Sequence, residues 1–255
     1  MISISEAQLA AWISPIFWPF VRTLAVFTSA PVFSSRAFPV RARIGLAFLV
    51  ALASQASLPD GPIIGFNDPR ALGVLMQQIG VGLALGFAVQ LVFAAVELAG
   101  EVVGFQMGLN FASFFDPSMN TQSSALAQFF GQMTSLLFVV MNGHLMVLMA
   151  VNKSFVAFPI DQNFLQALAT MKLFKLGTDL FASGLWIAMP MIGMLMFANL
   201  AMGIISRVAP QMNIFAIGFP ITLAVGLIGV AYTLPMLDQP FISLMGRVID
   251  LFGGT

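Results

Sequence analysis

Apolar residues fill this chain in long stretches separated by short polar links. Charge-poor runs fall at about 9–33, 44–58, 71–96, 118–151, 180–206 and 214–237. Runs near twenty residues match the thickness of a bilayer core when coiled as helices. Lipid offers backbone amides no hydrogen bonds, so the runs are expected to be α-helical. Links such as Leu58-Pro59-Asp60-Gly61-Pro62 and Gly65-Phe66-Asn67-Asp68-Pro69 read as turns.

The six segments are uneven. Ile44 to Leu58 would rise only about 22 Å as a helix, short of a core of roughly 30 Å. Pro15, Pro19 and Arg22 lie inside the first run, Pro190 inside the fifth and Pro220 inside the sixth. Proline removes an amide donor and kinks a helix, which membrane proteins tolerate where neighbouring protein repairs the loss. The expected fold is therefore all-α, a set of membrane-associated, kinked helical hairpins packed against other chains. The plainest hairpin comes last: between Asp179 and Asp238 the one charged side chain is Arg207, in the link Ile205-Ser206-Arg207-Val208-Ala209-Pro210-Gln211-Met212-Asn213.

Composition narrows the class. With 59% hydrophobic and 8% charged residues and a mean hydropathy of +0.97, the chain cannot present an ordinary water-soluble surface. Ten Lys and Arg balance ten Asp and Glu, which argues against nucleic acid as a partner. Cysteine is absent, so disulfides and thiolate metal sites are excluded. The first 21 residues hold no Lys or Arg and include Glu6, a poor match to a cleaved signal peptide. The richest short cationic cluster, Arg36, Arg41 and Arg43, would place residues 34–43 in the cytoplasm and the N-terminus outside.

Candidate chemistry is sparse. In Glu97-Leu98-Ala99-Gly100-Glu101-Val102-Val103-Gly104-Phe105-Gln106-Met107-Gly108, helical spacing puts Glu97 and Glu101 on one face, while Gly100, Gly104 and Gly108 form a small-residue ridge suited to close packing. Two carboxylates closing a 26-residue uncharged run read as a polar lining or a subunit contact, or as a helix end emerging into water. Asp116-Pro117 and the Ser/Asn residues after it break the helix, which puts Phe111, Phe114 and Phe115 on a loop as interfacial anchors or as a water-excluding constriction. Arg207 reads either as a cation for a partner's carboxylate or as a loop charge setting topology. His144, alone in Asn142-Gly143-His144, reads as a hydrogen-bonded interior histidine. No nucleophile elbow, HExxH or phosphate-binding loop is present, so enzymatic activity is not expected and no cofactor or metal is implied.

These motifs resemble the FliR family of the bacterial flagellar type III secretion apparatus. The likeness rests on Pro31-Val32-Phe33 through Arg43, on Glu97 through Gly108, on Phe114-Phe115-Asp116-Pro117, and on Asn199 through Pro220, and it spans essentially the whole chain. It implies a single copy assembled with FliP and FliQ into a conical export gate in the inner membrane at the flagellar basal body. Much of that gate would sit above the bilayer on the periplasmic side, with FlhB around its cytoplasmic entrance and unfolded proteins as cargo. It also implies a FliP-like part over residues 1–177 and a FliQ-like hairpin over 178–255. A plug loop at 106–122 would carry Phe111, Phe114 and Phe115 as seals beside Asp116 and Pro117, with Glu97, Glu101, Gln106 and Arg207 as polar lining or subunit contacts. Competing readings are an injectisome homologue, a purely structural wedge closing a ring, and a secondary transporter using Glu97 and Glu101 at the membrane midplane.

Overall fold

The computed structural model describes residues 6–55, 58, 62–65, 67–109, 124–160, 174–211 and 214–253. Among them there is no strand; the elements are α1 (Glu6–Ser29), α2 (Pro31–Ser34), α3 (Val40–Gln55), α4 (Ala71–Gln106), α5 (Ala125–Val140), α6 (Gly143–Ala157), α7 (Phe174–Val208), α8 (Ile214–Thr233), a 3-10 turn (Leu234–Met236) and α9 (Asp238–Gly253). The all-α expectation is met. Among the described residues four stretches are long and apolar enough to cross a membrane: Ala10–Ser29, Ala71–Gln106, Phe174–Val208 and Ile217–Met236. The broken pair α5 and α6 would make a fifth. The remaining segment of the six becomes the 16-residue α3, too short to span, as its length implied.

Proline does not break these helices. Pro15 and Pro19 lie within α1, Pro190 within α7 and Pro220 within α8. Around the prolines of α1, Ser14 Oγ accepts from Trp18 Nε1 at 3.0 Å and from the Ile64 amide at 3.3 Å, and Thr23 Oγ1 donates to Pro19 O at 2.8 Å. The break comes instead between α5 and α6, where Asn142 takes a left-handed backbone with φ 56°, a conformation asparagine tolerates better than most residues.

Two compact units interleave along the chain, one formed by 1–91, 142–176 and 244–255, the other by 92–141 and 177–243. In the first, α3 lays Ala47, Ala51 and Ser54 inward and packs along α1, with Phe20 and Phe48 edge-to-face at 6.4 Å. Gly82 of α4 comes so close to α1 that a methyl there would lie 2.5 Å from the Arg22 carbonyl. Trp18, Ile64 and Val74 form a small core of their own.

In the second unit, Val96, Ala99, Val103 and Met107 make one stripe of α4 and meet Leu126 and Phe130 of α5, Ile187, Ala188, Met191 and Leu195 of α7, and Val230 of α8. The i, i+3, i+7, i+11 spacing of the α4 residues follows the helix period. Gly229 admits α7: a methyl there would lie 2.9 Å from the end of Met194.

Candidate functional site

The end of α4 is built by the glycine ridge. At Gly100 an added methyl would lie 2.8 Å from the Ala127 Cα, and at Gly104 it would lie 2.9 Å from Ser124 Oγ, so both glycines admit the first turn of α5. Gly108, with φ 79°, closes α4. Its amide bonds the Phe105 carbonyl at 3.1 Å and the Leu109 amide bonds the Gly104 carbonyl at 3.0 Å, the paired pattern of a Schellman end that needs a left-handed residue at this point. Residues 110–123, which carry Phe111, Phe114, Phe115, Asp116 and Pro117, lie outside the described residues.

Beyond them α5 starts on Ser124, whose Oγ accepts from the Ala127 amide at 3.1 Å, while its own amide donates to Glu101 Oε2 at 2.9 Å. In a capping box the reciprocal acceptor is a Glu or Gln three residues into the same helix. Here that position is Ala127, and Glu101 of α4 supplies the carboxylate. An anion at this place also faces the positive end of the α5 dipole. Glu97, one turn earlier, lies over Gly131, where an added methyl would sit 2.7 Å from Glu97 Oε1. Gln106 is half-buried, and its Oε1 has no hydrogen-bond partner among the described residues.

A second charged centre lies in the other unit. Arg22 is fully buried in α1. Its Nε donates to Gln78 Oε1 at 2.8 Å, its Nη1 to Ser154 O at 2.8 Å and to Ser154 Oγ at 3.1 Å, and its Nη2 to Phe158 O at 2.8 Å, with the guanidinium 3.9 Å from the centre of the Phe155 ring. Gln78 Nε2 donates on to Gln77 Oε1 at 3.2 Å, and Gln77 Nε2 reaches Pro159 O at 2.9 Å. The carbonyls of residues 154, 158 and 159 are those the chain presents where α6 ends, so this cation and its glutamines cap the negative end of a helix dipole.

The description "bacterial export proteins, family 1" belongs to the family model that matches residues 13–248. The chain belongs to this family. Flagellar biosynthetic protein FliR of Escherichia coli (strain K12) is 41% identical over 253 residues, covering 98% of this chain and 96% of that one. The protein of the same name from Pectobacterium carotovorum subsp. carotovorum is 40% identical over 251 residues, covering 98% and 96%. That of Bacillus subtilis (strain 168) is 31% identical over 212 residues, covering 82% of each. The likeness read from the motifs is thus borne out at the level of the family, none of these names is that of an enzyme, and the span-length helices give this export-family member a membrane location.

For this family member the remaining site residues fall as follows. Arg207 is exposed in the last turn of α7, where a cation suits the carbonyl end of the dipole. His144 is half-buried at the start of α6, and the hydrogen bond expected of it is not found among the described residues. The glutamates, Gln106 and Arg207 are not gathered into one cluster: Glu101 joins Ser124, whereas Arg207 sits at the far end of a different helix. Arg22 was visible in the sequence only as a charge inside an apolar run, and the signal that could have singled it out is the pair Gln77-Gln78 inside a second such run.

Proposed function

We propose that this chain is a component of the flagellar type III protein export gate. One copy assembles with FliP and FliQ in the bacterial inner membrane at the flagellar basal body, much of the assembly standing on the periplasmic side. FlhB borders its cytoplasmic entrance, and unfolded flagellar proteins pass through. Residues 1–177 take the FliP-like role and 178–255 the FliQ-like hairpin. Residues 106–122 act as the plug: Phe111, Phe114 and Phe115 exclude water from a narrow lumen, which blocks ions without any binding chemistry, and Asp116-Pro117 sets the turn.

One observation carries the gating part of this reading. Residues 110–123, which carry its phenylalanines, are flanked by defined structure, a Schellman end at Gly108 and Leu109 before them and the Glu101–Ser124 contact after them. Exposed large side chains along α7, among them Phe181, Trp186, Phe197 and Leu200, are the apolar surface that neighbouring subunits or lipid would cover.

Co-expression with the cognate FliP and FliQ, purification through a tag on this chain and native mass spectrometry test the assembly. A discrete complex with one copy of the chain is expected, and a monodisperse chain recovered alone would overturn the reading. In that complex, replacing Phe114 and Phe115 by alanine should raise ion leakage across the membrane with the stoichiometry unchanged. Unchanged leakage would reduce the chain to a structural wedge.

A further inference from the structure

Between Glu6 and Asp60 the sequence holds four arginines and no acid, although the chain as a whole has no net charge. Arg22 is engaged by the end of α6. The other three lie together in sequence, just after the span-length stretch Ala10–Ser29 and around the start of α3. Arg36 and Arg41 are exposed, Arg43 is half-buried, and its Nε has no hydrogen-bond partner among the described residues.

α3 has the reverse of an ordinary amphipathic pattern. Its small residues Ala47, Ala51 and Ser54 face inward. Its large apolar residues Val40, Ile44, Phe48 and Leu52, spaced at i, i+4, keep between 45% and 62% of their surface exposed. Sixteen residues give a helix of about 24 Å, and the stripe from Val40 to Leu52 covers about 18 Å of it, too short to cross a bilayer core.

We infer that this face binds acidic phospholipid. Arg36, Arg41 and Arg43 take the headgroup phosphates, and the Val40–Ile44–Phe48–Leu52 stripe lies along the acyl chains. Cations immediately outside a span are where anionic lipid gathers, and Arg pairs with phosphate through a planar fork of donors. The free amides at the start of α3 add a positive dipole end. The assignment rests on the membrane location and on the charge and exposure of these side chains alone, and holds whether or not the chain forms an export gate.

The test uses the full-length chain in mild detergent, incubated with equal amounts of phosphatidylglycerol and phosphatidylcholine, with bound lipids counted by native mass spectrometry. Phosphatidylglycerol should be retained in at least roughly threefold preference, and the preference should fall in 500 mM salt as charges are screened. The combined Arg36→Gln, Arg41→Gln, Arg43→Gln variant should abolish it. Arg41→Gln alone, at an exposed side chain that leaves folding intact, should lower it. Arg70→Gln, at a different link, should not change it. Equal retention of both lipids by the unaltered chain, or a preference that survives the triple variant, overturns the inference. So does a preference that vanishes when the chain is bound to its protein partners, which would make the face a protein interface.

Discussion

Arg22 and Glu101 do the same job in two different regions with opposite charge. Each leaves its own helix to complete the end of another: the cation takes carbonyls at the C-terminal end of α6, and the anion takes an amide at the N-terminal end of α5. Both signs match the helix dipole they face. The surroundings differ. Arg22 has no exposed surface and is held by four hydrogen bonds to neutral acceptors, whereas Glu101 is half-buried and bonds the first residue after 110–123. A cap sealed in a core fixes how helices are placed, because breaking it leaves buried groups without partners. The Glu101 cap is only partly buried, though the Ser124 it bonds is buried, so it should cost less to break. The contrast is between a fully sealed cap and a partly open one.

The largest effect should come from breaking the sealed cap. Arg22→Ala orphans Gln78 Oε1 and the Phe158 carbonyl and empties the space over Phe155, a loss of about 3 kcal/mol or more in stability. Arg22→Lys keeps a charge but offers a point ammonium in place of a fork, and should cost about 1–3 kcal/mol. Thermal melting of the purified chain, followed through the nearby buried Trp18, measures both. If the alanine variant melts with the unaltered protein, the hydrogen bonds are not what places α6.

Next come the glycines that bring each cap within reach. Gly82→Ala would press on the Arg22 carbonyl and Gly100→Ala on the Ala127 backbone, neither of which can swing aside as a long side chain would. Each should cost about 1–3 kcal/mol. Gly177→Ala, where nothing lies within 4 Å, is the control in the same melting assay and should be neutral or slightly stabilising.

At the open cap, Glu101→Ala removes the acceptor of the Ser124 amide and should cost about 1 kcal/mol. Glu101→Gln keeps an acceptor oxygen and loses only the charge at the dipole, about 0.3–1 kcal/mol. Melting curves that rank alanine below glutamine would assign the contact to hydrogen bonding. Equal losses would assign it to charge.

What could be read in advance follows from the range of the interactions. Hydropathy is local, so the helices and the shortness of α3 were legible. So was the small-residue ridge as far as Gly100 and Gly104, which both meet the start of α5; Gly108, expected on the same ridge, lies past the end of α4 and closes it with φ 79°, because it takes a left-handed turn that a repeat pattern does not signal. Pro15, Pro19, Pro190 and Pro220 were legible too, and all four lie inside helices that continue past them, whereas the contacts of Ser14 with Trp18 and Ile64 appear only in the assembled neighbourhood. Arg22 finds its acceptors 56, 132 and 136 positions away, and no spacing rule reaches that far. Glu101 was placed on the right face with Glu97, but its partner Ser124 lies 23 residues on, across a stretch whose pattern signals only a helix break. α9 was there to be found, because Phe241, Leu244, Met245, Val248, Ile249 and Phe252, all buried, follow the helical period closely.

The smallest effect belongs to a charge pair outside both caps. Asp68 accepts from the Arg70 amide at 2.9 Å, from its Nε at 3.2 Å and from its Nη2 at 3.0 Å, in the link before α4. The Arg70 side chain, and then its amide, hold the Asp68 carboxyl below its ordinary value. A carboxyl with a lowered folded pKa contributes stability above the ordinary carboxylate range and loses it as pH falls through the lowered value. The pair stands at the surface, where salt and water screen it. Asp68→Asn should therefore leave the melting temperature at pH 7 almost unchanged, and the slight difference should vanish on acidification. A large loss at pH 7 would mean that a visible ion pair in water matters as much as the buried Arg22 contact that has no carboxylate at all, and the distinction between sealed and open sites would fail.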